Sequence, residues 1–74
     1  NMTTQKKTEA IINALDMTNK AVSNIIGFTG QHISRKKNMT YGSKFDESDL
    51  LKLNNHLTKK IKQLVKLNNE INKL

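Results

Sequence analysis

Residues 19–37 decide the fold: Asn19-Lys20-Ala21-Val22-Ser23-Asn24-Ile25-Ile26-Gly27-Phe28-Thr29-Gly30-Gln31-His32-Ile33-Ser34-Arg35-Lys36-Lys37. Ala21, Val22, Ile25 and Ile26 recur at helical spacing, which predicts a helix from about Asn19 to Ile26 with one apolar face. Gly27 follows, and glycine leaves a helix through positive φ without a side-chain clash. Thr29 then offers an N-cap hydroxyl for a new helix from Gly30 to about Asn38, with Ile33 as its inward residue. Two helices crossing over so short a turn need a glycine in it, a small residue four positions before and an apolar residue six after. Gly27, Ser23 and Ile33 satisfy those needs, and Ile26 and Phe28 seal the corner.

Working outward, Ile11, Ile12 and Leu15, helped by Ala10 and Ala14, make an apolar stripe on a helix from about Gln5 to Leu15. Asp16-Met17-Thr18 breaks it, and Thr18 or Asn19 can cap the next helix. Thr40 to Lys44 reads as a polar loop around Gly42, after which Asp46 or Ser48 caps a last helix from about Glu47 to Leu74. Glu47 and Asp49 in its first turn suit the positive end of the helix dipole. The chain contains no proline, and its three glycines all lie in the middle third. These features predict an all-α fold: three short helices, with a helix-turn-helix, followed by one long C-terminal helix that dimerises. The expected organisation is a domain over residues 1–57, continuous with a dimerisation helix over residues 47–74.

The last helix has more apolar surface than one small domain can cover. Leu50, Leu57, Leu64 and Ile71 are spaced at seven; Leu53, Leu67 and Leu74 form a second row, interrupted by Lys60. Asn54, Ile61 and Asn68 form a third row on the other flank. Two heptad registers are therefore open, and the one with Asn54, Ile61 and Asn68 at a favours two strands. Leu50, Leu51, Leu53 and Leu57 are expected to close the core of their own subunit. Ile61, Leu64, Val65, Leu67 and Ile71 then have nothing left in the chain to pack against, which predicts a partner helix. The expected interface of a symmetric homodimer is Leu57, Ile61, Leu64, Leu67, Asn68, Ile71 and Leu74. Leu74 falls mid-heptad without a stop signal, as expected of a module within a longer protein, and Asn1 before Met2 reads as a vector remnant.

Composition narrows the classes further. Seventy-four residues that are 35% apolar give a small core. The absence of cysteine removes disulfides and thiolate metal sites, and His32 and His56 are too far apart to suggest a metal pair; no cofactor or small-molecule ligand is expected. A net charge of +7 points to a polyanionic partner, nucleic acid before membrane. From Met17 to Phe45 there are five basic residues, Lys20, Arg35, Lys36, Lys37 and Lys44, and no acid. No apolar run approaches the ~20 residues of a membrane span and no signal peptide opens the chain, so a cytoplasmic location is expected. The acids gather at Asp46, Glu47 and Asp49, where capping accounts for them, and no nucleophile has a matching histidine. An enzyme is not expected.

The turn Gly27-Phe28-Thr29 and the following Ile33-Ser34 resemble the lambda-repressor and Cro class of DNA-binding domains. The helices expected before Asn19 and after Asp46 fall where that class places its first and fourth, so the resemblance spans about Gln5 to Leu57. Ser23 departs from the class's usual alanine. Lys36 stands where the class often has an apolar residue, so the end of the third helix is expected to be less buried. Gly42-Ser43-Lys44-Phe45 leading into Glu47-Ser48-Asp49-Leu50 also resembles the wing-to-helix passage of MerR-like domains, but the extra first helix and the short loop favour the first likeness. It implies double-stranded DNA as partner, with the helix from Gln31 to Asn38 in the major groove. By resemblance and helix phase, Gln31, His32, Ser34 and Arg35 would read bases. Thr18, Asn19, Lys20, Thr29, Lys36, Lys37, Asn38, Tyr41 and Lys44 would contact phosphates, adding affinity more than specificity. The role expected is a bacterial, phage or plasmid transcriptional regulator, a repressor. The alternatives are a plasmid or chromosome partition protein with a coiled coil, and a helical protein-interaction module such as a phage inhibitor.

Overall fold

In the computed structural model, which describes residues 2–73, every helix begins on a side-chain oxygen. Thr3 opens α1 (Thr4–Ala14), its hydroxyl accepting from the Lys6 N–H at 3.1 Å. Thr18 opens α2 (Asn19–Ile26) through the Ala21 N–H at 3.1 Å. Thr29 opens α3 (Gly30–Asn38) through the His32 N–H at 3.2 Å. Asp46 opens α4 (Glu47–Asn72) with a reciprocal box: its carboxylate accepts from the Asp49 N–H at 2.9 Å, and the Asp49 carboxylate accepts from the Asp46 N–H at 3.2 Å. Each cap satisfies N–H groups that have no partner inside their own helix. The described residues contain no strand. Three short helices and one long one form an all-α fold, as the turn signals predict.

Gly27 closes α2 at φ 89°, donating its N–H to the Ser23 carbonyl at 2.8 Å. No atom lies near the position a β-carbon would take there, so the turn requires glycine for its backbone angle, not for space. The Ser23 hydroxyl donates to the Phe28 carbonyl. Ser23 thereby fastens the turn with a hydrogen bond that alanine could not make.

The core is Ile11 and Ile12 from α1, Val22 and Ile26 from α2, Ile33 from α3, Phe45 from the loop and Leu53 from α4. Helix α4 packs on α1 and α2, and α3 packs on α2. Leu15, Met17, Ile25, Phe28, Leu50 and Leu57 are partly buried around this centre. Three expectations change. Ala10 and Ala14 are exposed, whereas Thr8 is buried, its hydroxyl donating to the Thr4 carbonyl at 2.8 Å. The buried face of α1 thus runs through Thr8, Ile11 and Ile12, because an internal bond makes a threonine cheap to bury. Leu51, expected in the core, is 60% exposed, since it lies on the flank of α4 turned from α1 and α2. Lys36, expected at a poorly buried helix end, is 5% exposed.

Two interactions explain the burial of Lys36. Its Nζ lies 2.6 Å from Asp49 Oδ2 and 4.0 Å from the centre of the Phe28 ring. The charge is paired and its stem covers apolar surface, the condition under which lysine tolerates burial. The same corner is tied to α1 by Gln5, whose Nε2 donates to the Lys36 carbonyl at 2.8 Å and to Glu9 Oε1 at 3.0 Å. Gln5 Oε1 in turn accepts from the Phe45 N–H at 2.8 Å, anchoring the loop before α4.

Beyond Leu57, α4 leaves the body of the protein. Its 26 residues make a rod of about 39 Å, and the molecule's longest extent is 52 Å. Ile61, Leu64, Val65, Leu67 and Ile71 are all more than half exposed. No helix is long and apolar enough to cross a membrane. Leu74 lies outside the described residues.

Candidate nucleic-acid interface

The surface in question is built by α2, the Gly27 turn, α3 and the loop after it. Ile33 anchors α3 in the core at 0% exposure, which turns Gln31 outward and leaves Ser34 and Arg35 at the margin of the body. Gln31 is exposed, with both amide functions available. His32 is half-buried and stacks on Phe28, ring centroids 4.6 Å apart and planes 20° from parallel. One face of the imidazole is therefore taken up in packing.

Arg35 reaches back over the loop. Its Cζ lies 4.8 Å from the centre of the Tyr41 ring, a cation–π arrangement. Tyr41 itself is 86% exposed and sits at φ 55°. Met39 and Gly42 are also left-handed, at 53° and 70°, so three of four consecutive residues take this backbone. The reversal is held by the Thr40 N–H to the Arg35 carbonyl at 3.1 Å and the Ser43 N–H to the Thr40 carbonyl at 2.9 Å. An aromatic side chain at positive φ carries strain, here at the position that brings the ring under the guanidinium.

The two ends of the surface are joined by Lys37 and Asn19. Lys37 Nζ donates to Asn19 Oδ1 at 2.5 Å, bringing the C-terminal half of α3 to the first turn of α2. Thr18 and Lys20 flank that contact and are exposed, as are Thr29, Asn38 and Lys44. In Thr18 and Thr29 the oxygen accepts the capping bond, which leaves the O–H free to donate outward. Of the residues expected to contact phosphate, Lys36 is placed elsewhere: its ammonium is buried and bound to Asp49, so it serves the core. Lys44 lies beside Thr3, Thr4 and Gln5 at the start of α1, and Lys20, Arg35 and Lys37 remain as the positive charge of α2 and α3.

Electrostatics at the start of α4 follow from the capping box. The Asp49 N–H donated to Asp46 holds the Asp46 carboxyl below its ordinary value of 3.8, opposed by some desolvation and helped by the Lys36 charge. Among the described residues, no group of three or more histidine, cysteine, aspartate or glutamate side chains could hold a metal ion.

Two contributors escape a reading of the sequence, and the role of a third, Asp49, does so in part. Gln5 and Phe45 join α1, α3 and the loop across distances of 31 and 40 residues, for which local pattern carries no signal. Asp49 does have a signal: Asp46 and Asp49 are spaced as a capping box, although nothing local marks Asp49 as the partner of Lys36. Comparison with protein-family models, with curated proteins and with solved structures gave no match.

Proposed function

We propose that this chain is a sequence-specific double-stranded DNA-binding protein that works as a homodimer, as a transcriptional regulator of the repressor kind. The observation that carries the reading is the arrangement of α2, the Gly27 turn and α3. It leaves Gln31, Ser34 and Arg35 toward the outside of α3, bordered by two helix N-termini and by Lys20 and Lys37. Each part has a natural role on DNA. A glutamine can bond adenine through two atoms and an arginine guanine likewise, each worth ~1–3 kcal/mol of discrimination. Helix N-termini and lysines receive phosphates, which set register and affinity. No acid lies between Met17 and Phe45 to repel a polyanion. The chemistry of the surface is that of binding, not catalysis, and a cytoplasmic location goes with it.

A partition protein would use the same contacts and draw on the projecting half of α4 to bridge DNA sites. The layout of bound sites distinguishes the two: a single palindrome suits a repressor and a clustered array suits partition. Selection of bound sites from random and genomic DNA tests the reading directly. A defined site is expected, with Arg35→Ala and Gln31→Ala each relaxing preference at one base position per half-site. Recovery of no preferred sequence, or unchanged preference in both variants, overturns base reading by α3.

A further inference from the structure

We propose that α4 pairs in parallel and in register with α4 of a second copy of this chain, along a seam of Leu57, Ile61, Leu64, Asn68 and Ile71. The inference deepens the homodimer of the reading above and rests on that part of it, but not on DNA recognition. The Leu57, Leu64 and Ile71 row of the seam continues from Leu50, which packs against the core. Leu50 and Leu57 are half-buried beside the fully buried Leu53, and then Ile61, Leu64 and Ile71 are 51%, 59% and 54% exposed. Over roughly 22 Å from Thr58 to Asn72 the face continues, with none of the described residues covering it.

The charge pattern names the occupant. With Leu57, Leu64 and Ile71 at heptad position d, Lys59, Lys62, Lys66 and Lys73 fall at b and f, on the side turned away from the seam. Two like-charged copies can therefore approach while their lysines stay in water. The positions bordering the seam, where an acidic partner helix would find its counter-charges, hold Thr58, Val65, Leu67 and Asn72, with Lys60 the one cation. That border offers little to a foreign acidic helix and considerable apolar contact to a copy of itself. A β-branched Ile61 at a with Leu57 and Leu64 at d is the combination that favours two strands.

Asn68 fixes the direction. The Leu50–Leu57 part of the face is occupied by α1 and α2, so a partner must overlap within the free half. An antiparallel pairing centred there sets each Asn68 against the partner's Leu64. Two carboxamides would then be buried without partners, at about 1–3 kcal/mol each. The parallel pairing sets Asn68 against the partner's Asn68, and each amide both donates and accepts. Among the described residues, the Asn68 side chain accepts from the Asn72 amide at 3.5 Å.

The chain contains no cysteine, so one introduced thiol reports one position. Under mild oxidation, Ile71→Cys is expected to form a disulfide-linked dimer as its main species, and Lys66→Cys, on the outer side, is not. Sedimentation of the unsubstituted chain is expected to give twice the monomer mass. Cross-linking that appears only when Ile61→Cys and Ile71→Cys chains are mixed would show an antiparallel pair and overturn the direction alone. A monomeric mass at high micromolar concentration overturns the pairing and the homodimer together. Loss of DNA selectivity with the dimer intact would count against the functional reading only.

Discussion

Lys36 Nζ and Asp49 Oδ2 lie 2.6 Å apart, with their side chains only 6% and 3% exposed. The same Asp49 oxygen accepts the Asp46 N–H at 3.2 Å, so one carboxylate both completes the cap of α4 and neutralises the last turn of α3. Removing one member of such a pair strands the other charge in the protein, which costs far more than the pair itself contributes.

Asp49→Ala is accordingly expected to lower unfolding stability by about 3–5 kcal/mol, measured by urea denaturation. A loss under about 1 kcal/mol, the scale of an exposed ion pair, would mean the lysine escapes to solvent. On the proposed DNA-binding reading, the burial of Lys36 also separates it from Lys37. Lys37→Ala should reduce the steepness of the salt dependence by about one unit, and Lys36→Met should leave it unchanged in protein that remains folded.

The Arg35–Tyr41 contact predicts a difference between two substitutions of the same residue. Tyr41→Phe keeps the ring under the guanidinium, and Tyr41→Leu removes it. If the ring orients Arg35, Tyr41→Leu lowers selectivity at the base proposed for Arg35 by about two- to five-fold, the equivalent of about 0.5–1 kcal/mol, while Tyr41→Phe leaves it intact. Competition binding with single-base site variants reads this out. Equal weakening of every sequence by both changes would assign the hydroxyl to phosphate and remove the platform role.

Asp46 makes the stability of the chain depend on acid in a defined direction. Its folded pKa is depressed below 3.8, chiefly by the Asp49 N–H. A depressed carboxyl stabilises fully above its unfolded pKa and loses that contribution as pH falls through the folded value. Asp46→Ala should therefore cost about 1 kcal/mol at neutral pH. The gap between variant and parent is expected to stay constant above about pH 5 and to narrow below pH 3.8, followed by circular dichroism during denaturation. A gap that does not change with pH would show that the carboxylate charge adds nothing to the cap.

The helix boundaries were readable from sequence because caps and glycine turns are local: Thr18, Gly27, Thr29 and Asp46 act within three or four residues of themselves. The uncovered half of α4 was equally plain, since a heptad row outlasts the supply of partners in so short a chain. What stayed hidden depends on crossings between helices. Lys36 looks solvated in its own sequence neighbourhood, and its burial follows from the passage of Asp49 on α4 across the end of α3. On α1 the Ile11, Ile12 and Leu15 stripe faces the core as its spacing predicts, but Thr8 joins it in place of Ala10 and Ala14, since its hydroxyl finds the Thr4 carbonyl. Within the candidate interface the capping residues Thr18 and Thr29 were legible. The Arg35–Tyr41 stack was not, because it depends on a left-handed backbone at Met39 and Tyr41 that neither residue type suggests.

The helix caps divide by charge in a way that bears on which face can meet a polyanion. The two that open α2 and α3 are threonines, neutral at any pH the protein would meet. The aspartate cap opens α4, where Lys36 and Lys52 lie near enough to act on its charge. A carboxylate at Thr18 or Thr29 would cap its helix as well as a hydroxyl does, yet it would place a fixed negative charge at the helix end, where it would repel any approaching anion. Hydroxyl caps hold those helix ends in shape and leave their positive dipoles unmasked, so the strength of the fold and the welcome it gives an anion need not compete at the same atoms.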